Sequence, residues 1–195
     1  MPRWRTPLLI GAFVALAMTL PPAVDATAPA MREEDRLRQL TEAFASFDVR
    51  DMEDRRWTAA SLRGRIVLLD FWATWCAPCL ADIPWYRQIA TRFDSRVQVI
   101  GISLDTTDRR ALVSWLNRQR VDWPQVWDGR GYESLLAEQF GVESLPTSVL
   151  VGADGRVVAV NLRGERLVAA IESLIGPGRY TPSPSRSDKE SGWSR

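Results

Sequence analysis

The chain contains no histidine, a single lysine (Lys189) and only two cysteines in 195 residues. Structural zinc takes four ligands, usually Cys and His; with no His and no third Cys, that ligand set is missing and no metal is expected. A net charge of +1 leaves no basic surplus to mark a nucleic-acid binder. The near-absence of lysine among 25 basic residues is a compositional bias toward arginine, not an interaction signal. No internal repeat is evident. An apolar content of 46% is ample for a core, and the length suits one domain with appendages.

Residues 1–28 form a different physical class from the rest. Arg3 and Arg5 supply a positive start, Leu8 to Leu20 an apolar run, Pro21-Pro22 a break, and Ala26-Thr27-Ala28 a small-residue cleavage pattern. That is the layout of a secretory signal peptide. The apolar run is shorter than the roughly 20 residues a membrane span needs, so retention as an N-terminal anchor is the lesser alternative. No cysteine follows the run to carry a lipid. The expected location is therefore periplasmic or otherwise extracytoplasmic, with membrane contact only if the segment stays uncleaved. At the other end, residues 176–195 are Pro, Ser, Arg and Gly with few apolar side chains, the composition of a disordered tail.

An exported chain that relied on structural disulfides would scatter its cysteines. Here Cys76 and Cys79 stand together in Trp75-Cys76-Ala77-Pro78-Cys79, closing a loop too short to stabilise much through chain entropy. The run Ile66 to Trp72 before them reads as a buried strand, and Leu80 to Phe93 after them has helical periodicity. A Cys-x-x-Cys at a strand-to-helix junction is the geometry of a dithiol redox centre. The first sulfur then lies where unpaired amides and the helix dipole favour a thiolate. Asp70, mid-strand among Leu68, Leu69, Phe71 and Trp72, is costly to ionise, so its pKa should be raised. Asp82 follows Cys79 by three residues and shares its helix face.

The remaining chain supplies the frame. Residues 29–46 read as an amphipathic lead-in helix through Leu37, Leu40 and Phe44. Residues 47–50 and 56–58 flank a polar turn as a hairpin. Val97 to Ser103 is a second buried strand, and Thr106-Thr107-Asp108 can cap a helix carrying Leu112 and Leu116. A short strand is expected near Val126, then a helix from Tyr132 to Phe140 ended by Gly141. Residues 148–151 and 157–160 flank Asp154-Gly155 as a hairpin, followed by a helix from Glu165 to Ile175. A right-handed crossover makes the two long strands parallel, and the last hairpin adds antiparallel ones. The fold class expected is α/β, with a mixed central sheet between helical layers and a hairpin extension at the N-terminal side.

Asp70-Phe71-Trp72-Ala73-Thr74-Trp75-Cys76-Ala77-Pro78-Cys79, with Gly141-Val142 and Leu145-Pro146-Thr147 further on, resembles the thioredoxin superfamily over residues 47–175. The signal segment, the hairpin and the extra stretch at 121–140 make it similar to the exported TlpA/ResA-like thiol–disulfide oxidoreductases within it. The resemblance implies a three-layer thioredoxin-like fold and no cofactor. It implies Cys76 as an exposed nucleophile, Cys79 as the more buried resolving thiol, Asp70 as a buried proton acceptor for Cys79, and Asp82 as an acid influencing both thiols. Pro146 should be cis, and Trp75, Ala77, Pro78, Leu145 and Pro146 should meet the substrate. The implied partners are client protein thiols or disulfides and a membrane thiol carrier that returns electrons, as in cytochrome c or metal-centre assembly. Ala-Pro between the cysteines is neither the Gly-Pro of thioredoxin nor a His-containing pair, so the potential does not follow by analogy. Two other readings stay open: an oxidant that forms disulfides, and a client-binding assembly factor or holdase using the Pro146 groove. A thiol peroxidase would need Pro-x-x-x-Thr-x-x-Cys, and nothing before Cys76 has that pattern.

Overall fold

The computed structural model describes residues 32–176. The expected signal segment lies outside the described residues, as does the expected tail beyond Gly176. In chain order the elements are α1 (Glu33–Ala45), β1 (Asp48–Arg50), β2 (Arg56–Thr58), β3 (Ile66–Trp72), α2 (Ala77–Arg92), β4 (Val97–Ser103), α3 (Arg109–Gln119) and β5 (Gln125–Trp127). A 3₁₀ turn (Gly131–Glu133), α4 (Leu135–Gln139), β6 (Thr147–Val151), β7 (Val157–Val160) and α5 (Gly164–Ile175) complete them. Among the described residues no helix is long and apolar enough to cross a membrane.

β1 and β2 pair antiparallel as a separate hairpin, while the main sheet has the order β5-β4-β3-β6-β7. β3, β4 and β5 run parallel, and β6 and β7 run antiparallel to their neighbours. This is the mixed sheet expected from the sequence. Both long strands are buried along their whole length, which is why they read as unbroken apolar runs rather than as alternation.

Side chains of a strand still alternate between faces, and in β3 that alternation sets the site. Val67, Leu69 and Phe71 point into one core with Phe44 of α1 and Phe140. Ile66 and Leu68 point into the other, with Tyr86, Ile89 and Phe93 around α2 and Leu167 and Ile171 of α5. Asp70 has the parity of the second set and so faces α2. A third cluster at the C-terminal end of β3 gathers Trp72, Ala73, both cysteines, Leu112 and Leu116.

One expected element differs. The helix anticipated from Tyr132 to Phe140 is split, because Ser134 is extended (φ −61°, ψ 135°) and starts α4 afresh after the 3₁₀ turn. Gly131 at φ +60° sets that turn, with Thr106 where a Cβ would crowd. Tyr132 and Leu135, which look like one apolar helix face in sequence, are both exposed.

α1 is fixed by aromatic packing: Phe44 stacks on Phe47 at 5.7 Å, Phe47 meets Phe140 edge-on at 6.4 Å, and Phe140 lies 5.6 Å from Phe71. Phe44→Ala should therefore cost about 3–5 kcal/mol of unfolding free energy in a urea titration. A loss below about 1 kcal/mol, the range of surface substitutions, would mean that α1 is not part of the core.

Candidate active site

β3 ends at Trp72, and its backbone hands over to α2 through Ala73, Thr74 and Trp75. That link is held from the end of β4. The buried Asp105 carboxylate accepts the Thr74 N–H at 3.0 Å, the Thr74 hydroxyl at 2.6 Å and the Ser103 hydroxyl at 2.8 Å. Trp72 is held from β5, where its Nε1 donates to Gln125 Oε1 at 2.9 Å. The Gln125 amide sits 2.3 Å from where a side chain at residue 101 would begin, so Gly101 is the residue that leaves room for it.

Cys76 is the N-cap of α2; its Sγ accepts the Cys79 N–H at 3.2 Å. Pro78 in the first turn suits a position whose N–H would lack a helical partner. The two cysteines form a disulfide with their Cα atoms 5.3 Å apart. The sequence reading expected Cys76 to project into solvent. In this oxidised form the residue is only 5% exposed, close to Cys79 at 2%. The reason is geometric: the Sγ is folded back over the first turn by the disulfide and the Cys79 amide. Exposure belongs instead to its neighbours Trp75 (59%), Ala77 and Pro78, which form the rim.

The Leu145–Pro146 peptide is cis, as expected. Leu145 packs against the cluster that contains both cysteines, so the loop flanks the disulfide. Trp75 also lies against Tyr132, ring centres 6.4 Å apart, which extends the rim onto the 3₁₀ turn.

Below the disulfide lies a buried polar group. Asp70 is 4% exposed, and its Oδ1 accepts the Tyr86 hydroxyl at 3.2 Å. Burial pushes the Asp70 carboxyl up to about 8, the Tyr86 bond opposes this, the Asp82 charge adds to it and the Arg163 charge subtracts. Burial also drives the Tyr86 phenol well above its ordinary range, reinforced by the charges of Asp70 and Asp82. Asp70 and Cys79 line one crevice with Trp72, Ile83, Val121 and Trp123, too tight to hold a water.

Asp82 is buried on the Cys79 face of α2, as its spacing implied, but it is not alone there. Arg163, ahead of α5, donates from Nε to Asp82 Oδ2 at 2.7 Å and from Nη2 to the Pro78 carbonyl at 2.6 Å. Sequence reasoning gave no role to Arg163, Tyr86 or Asp105. Tyr86 was accessible from spacing, since Cys79, Asp82 and Tyr86 fall on one helix face at i, i+3 and i+7. Arg163 and Asp105 reach the site across 81 and 31 residues, and no local pattern announces such pairs.

The arrangement suits thiol–disulfide exchange: a dithiol pair at a helix start, an apolar rim and a cis-proline loop beside it, and a carboxyl that can hold a proton at neutral pH. Comparison with known proteins agrees. The AhpC/TSA family pattern matches residues 40–160. The chain is 30% identical over 138 residues to the thiol-disulfide oxidoreductase ResA of Bacillus thuringiensis (strain Al Hakam), covering 70% of this chain and 77% of that protein. Against ResA of Bacillus subtilis (strain 168) the identity is 27% over 177 residues, covering 89% and 93%. Among solved structures, a thiol-disulfide oxidoreductase from Bacteroides fragilis superposes with a TM-score of 0.60 at 28% identity, over 66% of this chain and 96% of that one.

The raised Asp70 carboxyl makes stability depend on pH. From the ordinary value of 3.8 up to about 8, the folded protein keeps a proton that the unfolded chain has released, so stability falls as pH rises through that window. Asp70→Asn removes this slope. Urea titrations of the oxidised proteins at pH 5 and pH 8 should show the parent losing more stability than the variant, by an amount on the order of a few kcal/mol. Equal losses would mean that Asp70 is not held protonated by the fold.

Proposed function

This chain belongs to the AhpC/TSA family, and on that premise we propose that it works outside the cytosol as a reductant of client cysteines. It is a thiol–disulfide oxidoreductase, the activity its relatives are named for, and its partners are proteins carrying thiols or disulfides. The direction of exchange, the location and the residue roles are the proposal.

The observation that carries it is the disulfide at the start of α2, seated over two buried carboxyls. A strong oxidant needs a stabilised reduced form, which in practice means a stabilised thiolate. The helix start favours a thiolate here, but the burial of both cysteines and the Asp82 carboxylate on the Cys79 face work against it. A reduced form without a strongly stabilised thiolate is the better electron donor.

In the reducing direction the Cys76 thiolate attacks one sulfur of a client disulfide. The client S–S bond breaks, a mixed disulfide forms and one client thiolate leaves. Asp70, as carboxylate, is the acceptor for the proton of the Cys79 thiol, the two side chains lining one crevice. The Cys79 thiolate then attacks Cys76 Sγ, the mixed disulfide breaks and the second client thiolate departs. The enzyme is left as the Cys76–Cys79 disulfide. A membrane thiol carrier restores it by the reverse exchange, its own dithiol becoming oxidised.

Trp75, Ala77 and Pro78 supply the exposed rim for the client. Leu145, ahead of cis-Pro146, presents backbone to an extended client segment. Export through residues 1–28 places this chemistry where disulfides form and client cysteines need a reductant.

Trapping tests the roles. Cys79→Ala should accumulate mixed disulfides with client proteins through Cys76, visible on non-reducing gels and released by dithiothreitol. Cys76→Ala should trap none. If Cys76→Ala retained full biological activity, client binding without exchange would be the better account.

A further inference from the structure

Arg163 ends the link between β7 and α5, and the exchange described above does not use it. Its backbone is extended (φ −140°, ψ 156°), and Gly164 follows at φ +56° with the Trp85 ring packed against it. Arg163 occupies the N-cap position of α5, where a guanidinium has no acceptor to offer the free N–H groups of the helix. Its side chain crosses to α2. There the guanidinium makes two bonds at once, to the Asp82 carboxylate and to the carbonyl of Pro78. Pro78 lies between the two cysteines, and Asp82 lies one turn beyond the second.

We propose that Arg163 is a positioning residue for the dithiol: it offsets the Asp82 charge beside the thiols and holds the Pro78 carbonyl, so that it sets how much of Cys76 is thiolate. The proposal rests on the dithiol reading above and deepens it.

Around the pair stand Asp70 from β3, Asp82 and Tyr86 from α2, Asp105 after β4, whose carboxylate binds Thr74 two residues before Cys76, and Arg163 from the segment before α5. Arg163 is the cation of that set. The Asp82 side chain is almost fully covered, at 7% exposure, whereas that of Arg163 is 37% exposed. Removing the guanidinium would leave a covered carboxylate unpaired near two sulfurs, which disfavours a second negative charge there. Lysine could satisfy one of the two bonds as a point charge but not both in the forked geometry of arginine.

The test is the pH profile of Cys76 alkylation by iodoacetamide in the reduced full-length protein, with the site identified by peptide mass mapping. Arg163→Met should move the midpoint upward and slow alkylation at pH 7 by about tenfold, the effect of a one-unit change in thiol pKa. Arg163→Lys should recover part of the loss. Asp82→Asn alone, which leaves the guanidinium as an uncompensated cation beside the thiols, should move the midpoint downward, and opposite shifts from the two partners of one ion pair are what a merely structural role would not produce. Should Arg163→Met fail to fold, Arg163→Gln removes the charge while keeping a donor and takes its place in the same comparison. An unchanged midpoint in Arg163→Met, or shifts of the same sign in Arg163→Met and Asp82→Asn, overturns the proposal. Because alkylation needs no client, a failed trapping experiment would count against the exchange reading and leave this coupling separately measurable.

Discussion

The burial of one carboxyl group organises this protein. Asp70 sits in the middle of a strand buried on both faces, with the Tyr86 hydroxyl as its hydrogen-bond donor. A carboxylate taken out of water is costly unless charge or hydrogen bonds compensate it, and here they compensate only in part, so the group is pushed up to about 8. A stability-optimised sequence would place an apolar residue there. The parity of β3 aims Asp70 at α2, the helix that begins with the disulfide. The cost in stability and the placement under the thiols have the same origin.

Much of the surrounding structure keeps that geometry in register. Asp105 binds the backbone of the link into α2, and Gln125 binds Trp72 at the end of β3. Both come from the β4–β5 side of the sheet. Arg163 and the cis-proline loop approach from the β6–β7 side. The site is thus supported by elements on either side of the central strand, and the supports from Asp105, Gln125 and Arg163 are polar contacts with defined partners. Such contacts fix orientation more than they add stability. That is what exchange chemistry requires, since the attacking sulfur must meet the target bond along a narrow approach.

The sequence made the central elements legible for a simple reason. Fully buried strands are continuous apolar runs, so Ile66–Trp72 and Val97–Ser103 have the bounds their hydrophobicity suggests. Asp154-Gly155 marked its hairpin because Gly155 takes a positive φ. Asp70 stood out as a charge inside an apolar run, and its perturbed titration followed from that position alone. The helix expected from Tyr132 to Phe140 is split in two; Tyr132 and Leu135 mimic a buried helix face while lying on the surface. Spacing placed Asp82 on the correct face of α2 but said nothing of its partner, since the Arg163 pairing exists only after the sheet brings α5 beside α2. Exposure of Cys76 was misjudged for a related reason: motif position says where the helix starts, not how the bonded sulfur folds over it.

If this dithiol gives electrons to clients, the reduction potential of the Cys76–Cys79 pair must lie low. Trp72 packs in the same cluster as the two cysteines, so tryptophan fluorescence in defined thiol buffers can follow the equilibrium. A reductant should show a potential near or below about −250 mV at pH 7, in the range of thioredoxin. A value above about −180 mV, toward the strong oxidants, would contradict it and make disulfide formation the function of the site.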